Sequence, residues 1–366
     1  MRLLVDLASC DNPDSGIGRR ALALWPRVAG RLSARGGAVL LLAPPAWLER
    51  LDPGSEGLDA QAVPAFAGSP WRRHRRFNPE LRRRARDWKA DFTHQETLPL
   101  ADPSRSIVTI HDLRELHPMW RGSRSRRIAA GLLYPMQIPR TALVVTVSEF
   151  MRSEITRLLR IGKDRIALVP NAVDEAWFQR GGHPDAEVLA RYGLEPRQYL
   201  LHVGHREPRK NLGFAVDVLA ELHRRGQPLT LVLAGRAKPG YRKPEQRARK
   251  LGLSDHLQIL EDFADADLPA LYRQARQVLL PSRYEGYGLT GPEARAAGTP
   301  VLANAIPPFP ELLGAESCLP LDASQWADRV EAIVGRQPPE HAHQRPDWDD
   351  VAASFLDAMN AVLTSR

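Results

Sequence analysis

Short runs of apolar residues alternate with amphipathic stretches along the chain, and this pattern predicts strands that alternate with helices. Residues 38–43 (Ala-Val-Leu-Leu-Leu-Ala) and 143–147 (Leu-Val-Val-Thr-Val) carry no charge, as is typical of strands buried on both faces of a parallel sheet. Ser148 follows the second run as the N-cap of a helical pattern that continues to Leu159. The pattern therefore predicts an α/β protein with parallel sheets.

The strand patterns form two series, which a linker at residues 175–184 separates. A chain of 366 residues is long enough for two domains of ordinary size. We therefore predict two Rossmann-like doubly wound domains, at residues 1–174 and 185–345, and a C-terminal helix within residues 346–366. The predicted strands lie near residues 2–7, 38–43, 92–94, 106–113, 143–150, 165–174, 199–204, 229–235, 257–260, 277–281 and 300–303, with loops at 8–18 and 44–70.

The stretch at residues 281–300 predicts a strand–loop–helix–strand unit, with the helix beginning near Glu293 and ending at Gly298. In parallel sheets ligands bind beyond the carboxyl ends of the strands, where this loop must lie. Its glycines allow the backbone to approach a ligand closely, and the amides at the start of the helix predict an anion site. The residues concerned are Gly286, Gly288, Gly291, Leu289 and Thr290.

Two carboxylates, Glu285 and Glu293, accompany this predicted anion site. Because acids repel a phosphate, we expect them to face one cavity and to accept hydrogen bonds from hydroxyl groups. A ligand that carries both a diphosphate and many hydroxyls is a nucleotide sugar. The alternative is that Glu293 only stabilises the dipole of its helix.

A second loop, at residues 204–211, carries Arg206, Arg209 and Lys210 just beyond a predicted strand. Converging cations would stabilise a leaving diphosphate, on which negative charge grows as the glycosidic bond breaks. The alternative is a solvated charged loop.

The first domain offers two further candidates. Gly16 and Gly18 precede a helix predicted at residues 22–32, as in a phosphate-binding loop, although the dinucleotide-binding fingerprint is incomplete. His111, with Asp112 as its neighbour, ends a predicted strand and could bond a sugar hydroxyl or a phosphate. A structural histidine is the alternative.

Composition narrows the class of protein. The hydrophobic fraction of 43% excludes wholesale disorder, and no apolar run approaches the roughly 20 residues that span a bilayer. Cys10 and Cys318 lie far apart, so we expect a reducing compartment and no disulfide. The apolar stretch at residues 1–7 is too short, and too soon interrupted by charge, for a signal peptide. We therefore expect a soluble, cytoplasmic protein, with a peripheral position at the inner face of the cytoplasmic membrane left open.

The net charge of +8 is concentrated at residues 71–127, which hold 15 Lys/Arg and 7 Asp/Glu. This stretch could be a solvated face, a nucleic-acid patch, or a surface for anionic lipid and lipid-diphosphate acceptors. Interleaved Trp71, Phe77, Trp88 and Trp120 favour contact with a membrane or acceptor. His341 and His343 have a metal-like spacing but lack a third ligand, and we predict no metal site.

Residues 285–301 resemble the signature of the retaining family 4 glycosyltransferases, E-G-F-G-L-P-x-x-E-A-x-A-x-G-x-P-V. The chain keeps both glutamates and departs at Thr290 and at Gly291-Pro292. Gly204 to Asn211 resembles the family's G-x-x-x-P-R-K-N loop, and residues 111–118 resemble its mannosyl- and rhamnosyltransferase branch. Residues 168–174 resemble V-I-P-N-G-V-D, with Ala172 in place of glycine, where we expect an ordinary φ.

This resemblance implies a GT-B fold, in which an acceptor-binding domain (1–174) and a nucleotide-sugar-binding domain (185–345) face a central cleft, and the C-terminal helix (346–366) crosses back to the first domain. It implies a retaining, metal-independent hexosyltransferase without a cofactor. Glu285, His111, Arg209 and Lys210 would be catalytic. The donor-binding residues would be Gly16, Gly18, Arg206, Arg209, Lys210, Glu285, Gly286, Gly288, Leu289, Thr290 and Glu293.

The resemblance favours a GDP-linked mannose or a deoxyhexose such as rhamnose as donor, with UDP- and dTDP-sugars as alternatives. It implies a glycan or lipid-diphosphate-linked acceptor in bacterial surface polysaccharide (O-antigen type) synthesis, and membrane contact through residues 71–127. Two other classes are less consistent with the residues. An NAD-dependent oxidoreductase needs the complete fingerprint, and a basic nucleic-acid-binding protein leaves the loop after residue 281 unexplained.

Overall fold

The structure is a computed structural model, and the chain divides into two compact units. Unit 1 comprises Met1–Ala172 and Pro346–Arg366, and unit 2 comprises Val173–Arg345. The residues that the structure describes are 1–10, 12–13, 15–51, 54–66, 70–117, 123–173, 183–332 and 347–364.

Unit 1 is built on a parallel sheet of seven strands in the order β3-β2-β1-β4-β5-β6-β7. Leu3, Val5, Leu41 and Val145 are buried, because helices cover both faces of a parallel sheet. The strands are β1 Arg2–Asp6, β2 Ala38–Ala43, β3 Leu58–Ala62, β4 Phe92–Gln95, β5 Ser106–Ile110, β6 Leu143–Thr146 and β7 Ile166–Leu168.

The last helix of the chain packs against the first helix of the same unit. The ring of Phe355 stands edge-on to that of Trp25, with the centroids 5.3 Å apart, and the carboxylate of Asp349 pairs with Arg27 at 3.3 Å and Arg31 at 3.2 Å. The helices of unit 1 are α1 Gly16–Ser33, α2 Pro45–Leu48, α3 Pro70–Arg72, α4 Asn78–Asp87, α5 Arg124–Gln137, α6 Glu149–Leu159 and α14 Trp348–Thr364.

Unit 2 repeats the design with a parallel sheet of six strands in the order β10-β9-β8-β11-β12-β13. Its strands are β8 Tyr199–Val203, β9 Thr230–Ala234, β10 Leu257–Leu260, β11 Gln277–Leu280, β12 Val301–Asn304 and β13 Cys318–Leu319. Its helices are α7 Asp185–Tyr192, α8 Leu212–Arg224, α9 Lys243–Lys250, α10 Leu268–Gln274, α11 Thr290–Ala296, α12 Phe309–Leu313 and α13 Ala323–Ala332.

The predicted α/β class is confirmed, and Ser148 caps α6 by accepting a hydrogen bond from the amide of Met151 at 3.1 Å. The predicted loop at 44–70 is wrong, because it contains α2 and the edge strand β3. Most of β3 is exposed, so its sequence lacks an apolar run. Helices α5 and α7 and the short strand β13 were also not predicted.

Helix α1 begins at Gly16, six residues before the predicted start at residue 22, so the predicted loop at 8–18 is too long. Ala172 does not have a positive φ, as expected. Pro118, Trp120, His341, His343 and most of the predicted linker lie outside the described residues. Among the described helices, none combines the length and apolar character needed to cross a membrane.

Candidate active site

Each sheet has one point at which the order of its strands reverses, and the candidate residues collect at these points. In unit 2 the reversal lies between β8 and β11, and in unit 1 it lies between β1 and β4. Two neighbouring strands there send their following loops in opposite directions, which opens a crevice at the carboxyl edge of the sheet. The loops after β8 and β11 carry Lys210 and Glu285, and the loop after β4 carries Glu96.

The carboxylate of Glu285 is the centre of a buried ion cluster in unit 2. It accepts hydrogen bonds from Lys210 Nζ at 2.7 Å, Arg209 Nη1 at 2.5 Å and Ser282 Oγ at 2.8 Å. Glu285 is 5% exposed. Burial alone would raise the pKa of its carboxyl, but Arg209 and Lys210 together lower that pKa to about 2. The group is therefore a carboxylate at neutral pH.

Lys210 is buried as well, but burial shifts the pKa of an ammonium and that of a carboxyl in opposite directions. Burial lowers the pKa of the Lys210 ammonium, and Glu285 opposes that change. We regard both groups as charged, since each has an opposite charge within hydrogen-bond distance. The sequence placed Arg209 and Lys210 with a phosphate and Glu285 with hydroxyls. In the structure both cations instead bind the carboxylate of Glu285.

Two contacts hold Arg209 in this cluster. The carboxylate of Glu207 accepts a hydrogen bond from Arg209 Nε at 2.6 Å and also pairs with Lys238. The carbonyl of Arg209 accepts the amide of Arg283 at 2.8 Å, which joins the loop after β8 to the loop after β11. Glu207 was not among the predicted site residues, although it stands next to Pro208 in the loop that the sequence singled out.

The guanidinium of Arg206 does not converge with these cations as the sequence suggested. It is 3% exposed, it bonds Glu245 Oε1 at 2.5 Å, and it also bonds Glu261 and the carbonyl of Gly235. Two carboxylates on other elements thus occupy its donors. The structure gives Arg206 a role in tying β8 to the neighbouring strands.

His202, within β8, is a residue that sequence reasoning missed. Its Nδ1 lies 2.9 Å from the carbonyl oxygen of Leu279, beyond the last backbone pair of β8 and β11 at Leu201 and Val278. The imidazole therefore holds β8 and β11 together beyond their last backbone pair, where the two strands diverge toward the Glu285 cluster. Burial, followed by the charge of Lys210, lowers the pKa of His202 to about 4, so the ring is neutral at pH 7.

The loop between β11 and α11 is shaped by glycine, as expected. Gly288 has a φ of +86°, and a Cβ there would lie 2.8 Å from the ring of Phe309. The amide of Gly291, one of those in the predicted anion site, donates to the carbonyl of Gly288 at 3.1 Å. The predicted residues Gly286 and Leu289 lie in the same loop, and Leu289 is the N-cap of α11.

Helix α11 begins at Thr290, three residues earlier than predicted, and carries Glu293 in its first turn. The hydroxyl of Thr290 donates to the carbonyl of Val203 in β8 at 3.3 Å. Glu293 is 4% exposed and accepts a hydrogen bond from the hydroxyl of Tyr272 at 3.0 Å. Glu293 therefore sits in the same unit as Glu285, and a tyrosine of α10 orients it.

In unit 1, His111 follows β5 and bonds a residue that the sequence did not single out. Its Nε2 lies 2.6 Å from Glu96 Oε2, whereas Asp112, the expected neighbour, accepts the amide of Arg114. Burial would raise the pKa of the Glu96 carboxyl, but the neighbouring side chains of His111, His94 and Arg20 lower it to about 2. A carboxylate thus faces His111 and orients its ring.

Gly18 lies in the first turn of α1, where the hydroxyl of Ser15 accepts its amide at 3.0 Å. A Cβ on Gly18 would lie 2.2 Å from the carbonyl oxygen of Pro13, so this glycine allows the preceding loop to pack against the helix. Gly16 is the first residue of α1. Nearby, the guanidinium of buried Arg20 donates to Asn171 Oδ1 at 2.6 Å, which joins α1 to the segment after β7.

Within unit 2 the structure thus brings together Arg209, Lys210 and Glu285, and it directs Arg206 elsewhere. Within unit 1 it places His111 against Glu96. Chemically, the unit 2 cluster can bind an anion through its cations and can accept hydrogen bonds from hydroxyls through its carboxylates. Among the described residues no group of three or more His, Cys, Asp or Glu side chains could hold a metal ion.

The chain has two doubly wound units, each with charged groups where its strand order reverses. Two family models of glycosyltransferases match these units. The model described as Glycosyltransferase Family 4 matches residues 26–177, and the model described as Glycosyl transferases group 1 matches residues 188–344. Together they span most of both units. The chain belongs to the family 4 glycosyltransferases.

Individual relatives agree with this assignment. The O-antigen chain mannosyltransferase B of Escherichia coli is 33% identical over 243 residues, which cover 63% of this chain and 61% of that protein. The O-antigen chain mannosyltransferase RfbU of Salmonella typhimurium is 26% identical over 246 residues, which cover 66% of this chain and 64% of that protein. The chain therefore spans less than two thirds of the length of either relative.

Among solved structures, Anabaena HepE in complex with UDP and glucose superimposes with a TM-score of 0.74, covering 99% of this chain and 100% of that one, at 18% identity. A similarity at this level of identity shows the fold alone. It confirms the predicted GT-B class.

Proposed function

We propose that this protein transfers a hexose from a nucleoside diphosphate sugar to an acceptor hydroxyl with retention of the anomeric configuration. The observation that carries the proposal is the cluster of Glu285, Lys210 and Arg209 at the strand reversal of unit 2. It offers cations for a diphosphate and a carboxylate for sugar hydroxyls in one place. Unit 2 is the proposed donor-binding domain, and unit 1 is the proposed acceptor-binding domain.

The favoured donor is GDP-mannose or a GDP-linked deoxyhexose. Two relatives are named as O-antigen chain mannosyltransferases, which supports mannose and a role in bacterial surface polysaccharide synthesis. UDP- and dTDP-sugars are the alternative donors. The structure of HepE in complex with UDP and glucose supports the UDP alternative. The proposed acceptor is a glycan or a lipid-diphosphate-linked glycan.

The ion cluster explains how such a donor would be activated. Lys210, Arg209 and Lys238 carry three positive charges, and Glu285 and Glu207 neutralise two of them, so an incoming diphosphate still meets a surplus cation. As the bond from the sugar's anomeric carbon to the phosphate oxygen breaks, negative charge grows on the diphosphate, and these side chains would stabilise it. We propose that they make a divalent metal unnecessary and that no cofactor takes part.

Retention follows if the acceptor hydroxyl attacks the face of the sugar from which the diphosphate departs. The new bond joins the acceptor oxygen to the anomeric carbon, the bond to the phosphate oxygen breaks, and the acceptor's proton passes to that phosphate oxygen. Glu285 would hold the sugar hydroxyls, Glu293 the donor ribose, and His111 a sugar hydroxyl or phosphate. Amides of residues 286–290 would line the donor site, and Gly16 and Gly18 stay predicted donor-binding residues.

A lipid-linked acceptor would require the protein to work at a membrane surface. We propose a cytoplasmic protein in peripheral contact with anionic lipid through the basic stretch at residues 71–127. The competing interpretation of this stretch, nucleic-acid binding, predicts specific affinity for an oligonucleotide.

A thermal-shift panel of GDP, UDP, dTDP and NAD, with and without EDTA, tests the donor part of the proposal. We expect one nucleoside diphosphate to raise the melting temperature equally in both conditions. The Lys210→Gln variant should lose this shift. The matched control is Arg236→Gln, which removes an exposed arginine that pairs with Asp262 on the same unit. Stabilisation by NAD alone, or an equal loss in the control, would overturn the assignment.

The Glu285→Gln variant separates the two uses of that carboxylate. Without this negative charge, Lys210 and Arg209 attract phosphate more strongly, so we expect the nucleoside diphosphate alone to bind several-fold more tightly. Transfer should nevertheless be lost, because the sugar has lost its acceptor group. NMR of the product formed by the wild-type protein would report the anomeric configuration, and inversion would refute the retaining mechanism.

A further inference from the structure

Helix α5 (Arg124–Gln137) carries a row of exposed apolar side chains that no core residue covers. Ile128, Leu132 and Met136 are 55%, 50% and 57% exposed. They stand four residues apart, so they lie on one face of the helix. Ala129 and Ala130 are buried on the inner side. The outer face thus presents aliphatic side chains to solvent, which a soluble surface rarely does in a contiguous row.

The surroundings of this row are positively charged. Residues 123–140 contain Arg124, Arg126, Arg127 and Arg140 and no Asp or Glu. These arginines are exposed and form no ion pair among the described residues, although Arg126 acts electrostatically on the carboxyl of Glu115. Arg124 stands one helical step before Ile128 in the same row. An apolar strip edged by unpaired cations is the composition of a helix that lies in the interface of an anionic bilayer.

Three arginines of the basic stretch that precedes α5 have carboxylate partners. On α4, Arg83 pairs with Glu80 and Asp87, and Arg84 pairs with Glu80. The Arg73 guanidinium is buried against Asp6 at 2.5 Å. Three of the eight arginines at residues 71–87 are therefore paired with carboxylates, whereas α5 combines exposed arginines with a row of exposed apolar side chains.

We propose that the outer face of α5 is the surface through which this protein binds an anionic lipid bilayer, with Ile128, Leu132 and Met136 inserted among the lipid headgroups. This inference rests on the proposed peripheral contact and locates it on one helix. A second copy of the chain fits the face less well, because pairing two such helices would bring their arginines together. Nucleic acid also fits less well, since the row has no aromatic ring on which a base could stack.

Flotation of the full chain with vesicles tests the proposal. We expect binding to vesicles of phosphatidylcholine mixed with phosphatidylglycerol, little binding to phosphatidylcholine alone, and weaker binding at high salt. The variant Arg124→Gln/Arg127→Gln should bind about 25-fold more weakly, at about fivefold per arginine. The variant Ile128→Gln/Leu132→Gln/Met136→Gln should lose about 100-fold, since each aliphatic group that enters the interface contributes about fivefold.

Matched controls distinguish the helix from general charge and hydrophobicity. Arg35→Gln/Arg249→Gln removes two exposed arginines, and Leu251→Gln removes an exposed leucine that lies outside α5. Both controls should bind vesicles like the wild type. All substituted side chains are exposed, so every variant should melt at the wild-type temperature.

Three results would overturn the proposal. One is full vesicle binding by both α5 variants, and another is the absence of binding to anionic vesicles by the wild type. The third is a change of oligomeric mass in the α5 variants with unchanged vesicle binding, which would make the face a contact between copies. The thermal shift with a nucleoside diphosphate is a separate readout, measured on the wild type and on the same α5 variants. If no protein shows this shift, the proposed transfer fails. If every protein shows it but vesicles are not bound, only the membrane surface is refuted.

Discussion

Replacing Glu285 with glutamine removes one negative charge from between Lys210 and Arg209 and leaves the size of the side chain almost unchanged. The glutamine can still accept from Ser282, but it leaves two cations without their shared counter-charge in a site that is 5% exposed. Removing one member of a buried pair is costly because the remaining charge stays desolvated. We therefore expect the variant to fold with a clearly less stable unit 2.

The size of the loss follows from the pKa of the carboxyl. It falls from the reference value of 4.5 to about 2 in the folded protein. A shift of this size corresponds to about 3 kcal/mol in favour of the ionised form. A depressed pKa stabilises the folded state above the unfolded pKa, and this contribution is lost as the pH falls from 4.5 toward 2. The difference in the free energy of unfolding between wild type and variant should therefore reach its full size at pH 7 and become smaller below pH 4.5.

Urea denaturation gives the change in the free energy of unfolding, and hydrogen exchange of peptides from β8 and β11 assigns it to unit 2. Glu195→Gln is the matched control, because Glu195 is exposed and forms no ion pair among the described residues. A double-mutant cycle with Lys210→Gln should give a coupling energy above about 1 kcal/mol. A loss within about 0.5 kcal/mol for Glu285→Gln, or a coupling energy near zero, would refute the ion-cluster reasoning.

Three other substitutions test further contacts. Gly18→Ala places a Cβ 2.2 Å from a carbonyl oxygen and should cost about 2 kcal/mol in urea denaturation, whereas Gly30→Ala in the same helix, with 4.0 Å of clearance, should cost nothing. His202 has a pKa lowered from 6.5 to about 4 by burial, so its neutral form stabilises the fold above pH 6.5; about 2 kcal/mol should be lost by pH 5, and His202→Asn should remove that slope. Glu96→Gln should lower kcat for transfer about tenfold, and combining it with His111→Gln should add nothing, because Glu96 acts through that ring; additive losses would contradict this.

Local patterns were enough to predict much of the fold. Residues 143–147 are apolar, and Ser148 is an N-cap whose side chain needs only the next turn of the helix. The strand–loop–helix unit after residue 277 was likewise readable, because apolar runs, glycine and proline act over a few residues. The edge strand β3 escaped prediction, because its exposed residues carry no apolar period and its backbone bonds come from β2.

The contacts between side chains could not be predicted from local sequence patterns. Glu96 meets His111, and Arg206 turns to Glu245 and Glu261, across 15 to 55 residues of chain. These pairings depend on the order of strands in each sheet, which decides which loops become neighbours. The sequence alone determined the two series of strands and the residues that carry charge at the ends of those strands, since both are local properties. Only the tertiary structure decided which charges neutralise one another, because hydrogen bonds and ion pairs act over a few ångströms of space and ignore distance along the chain.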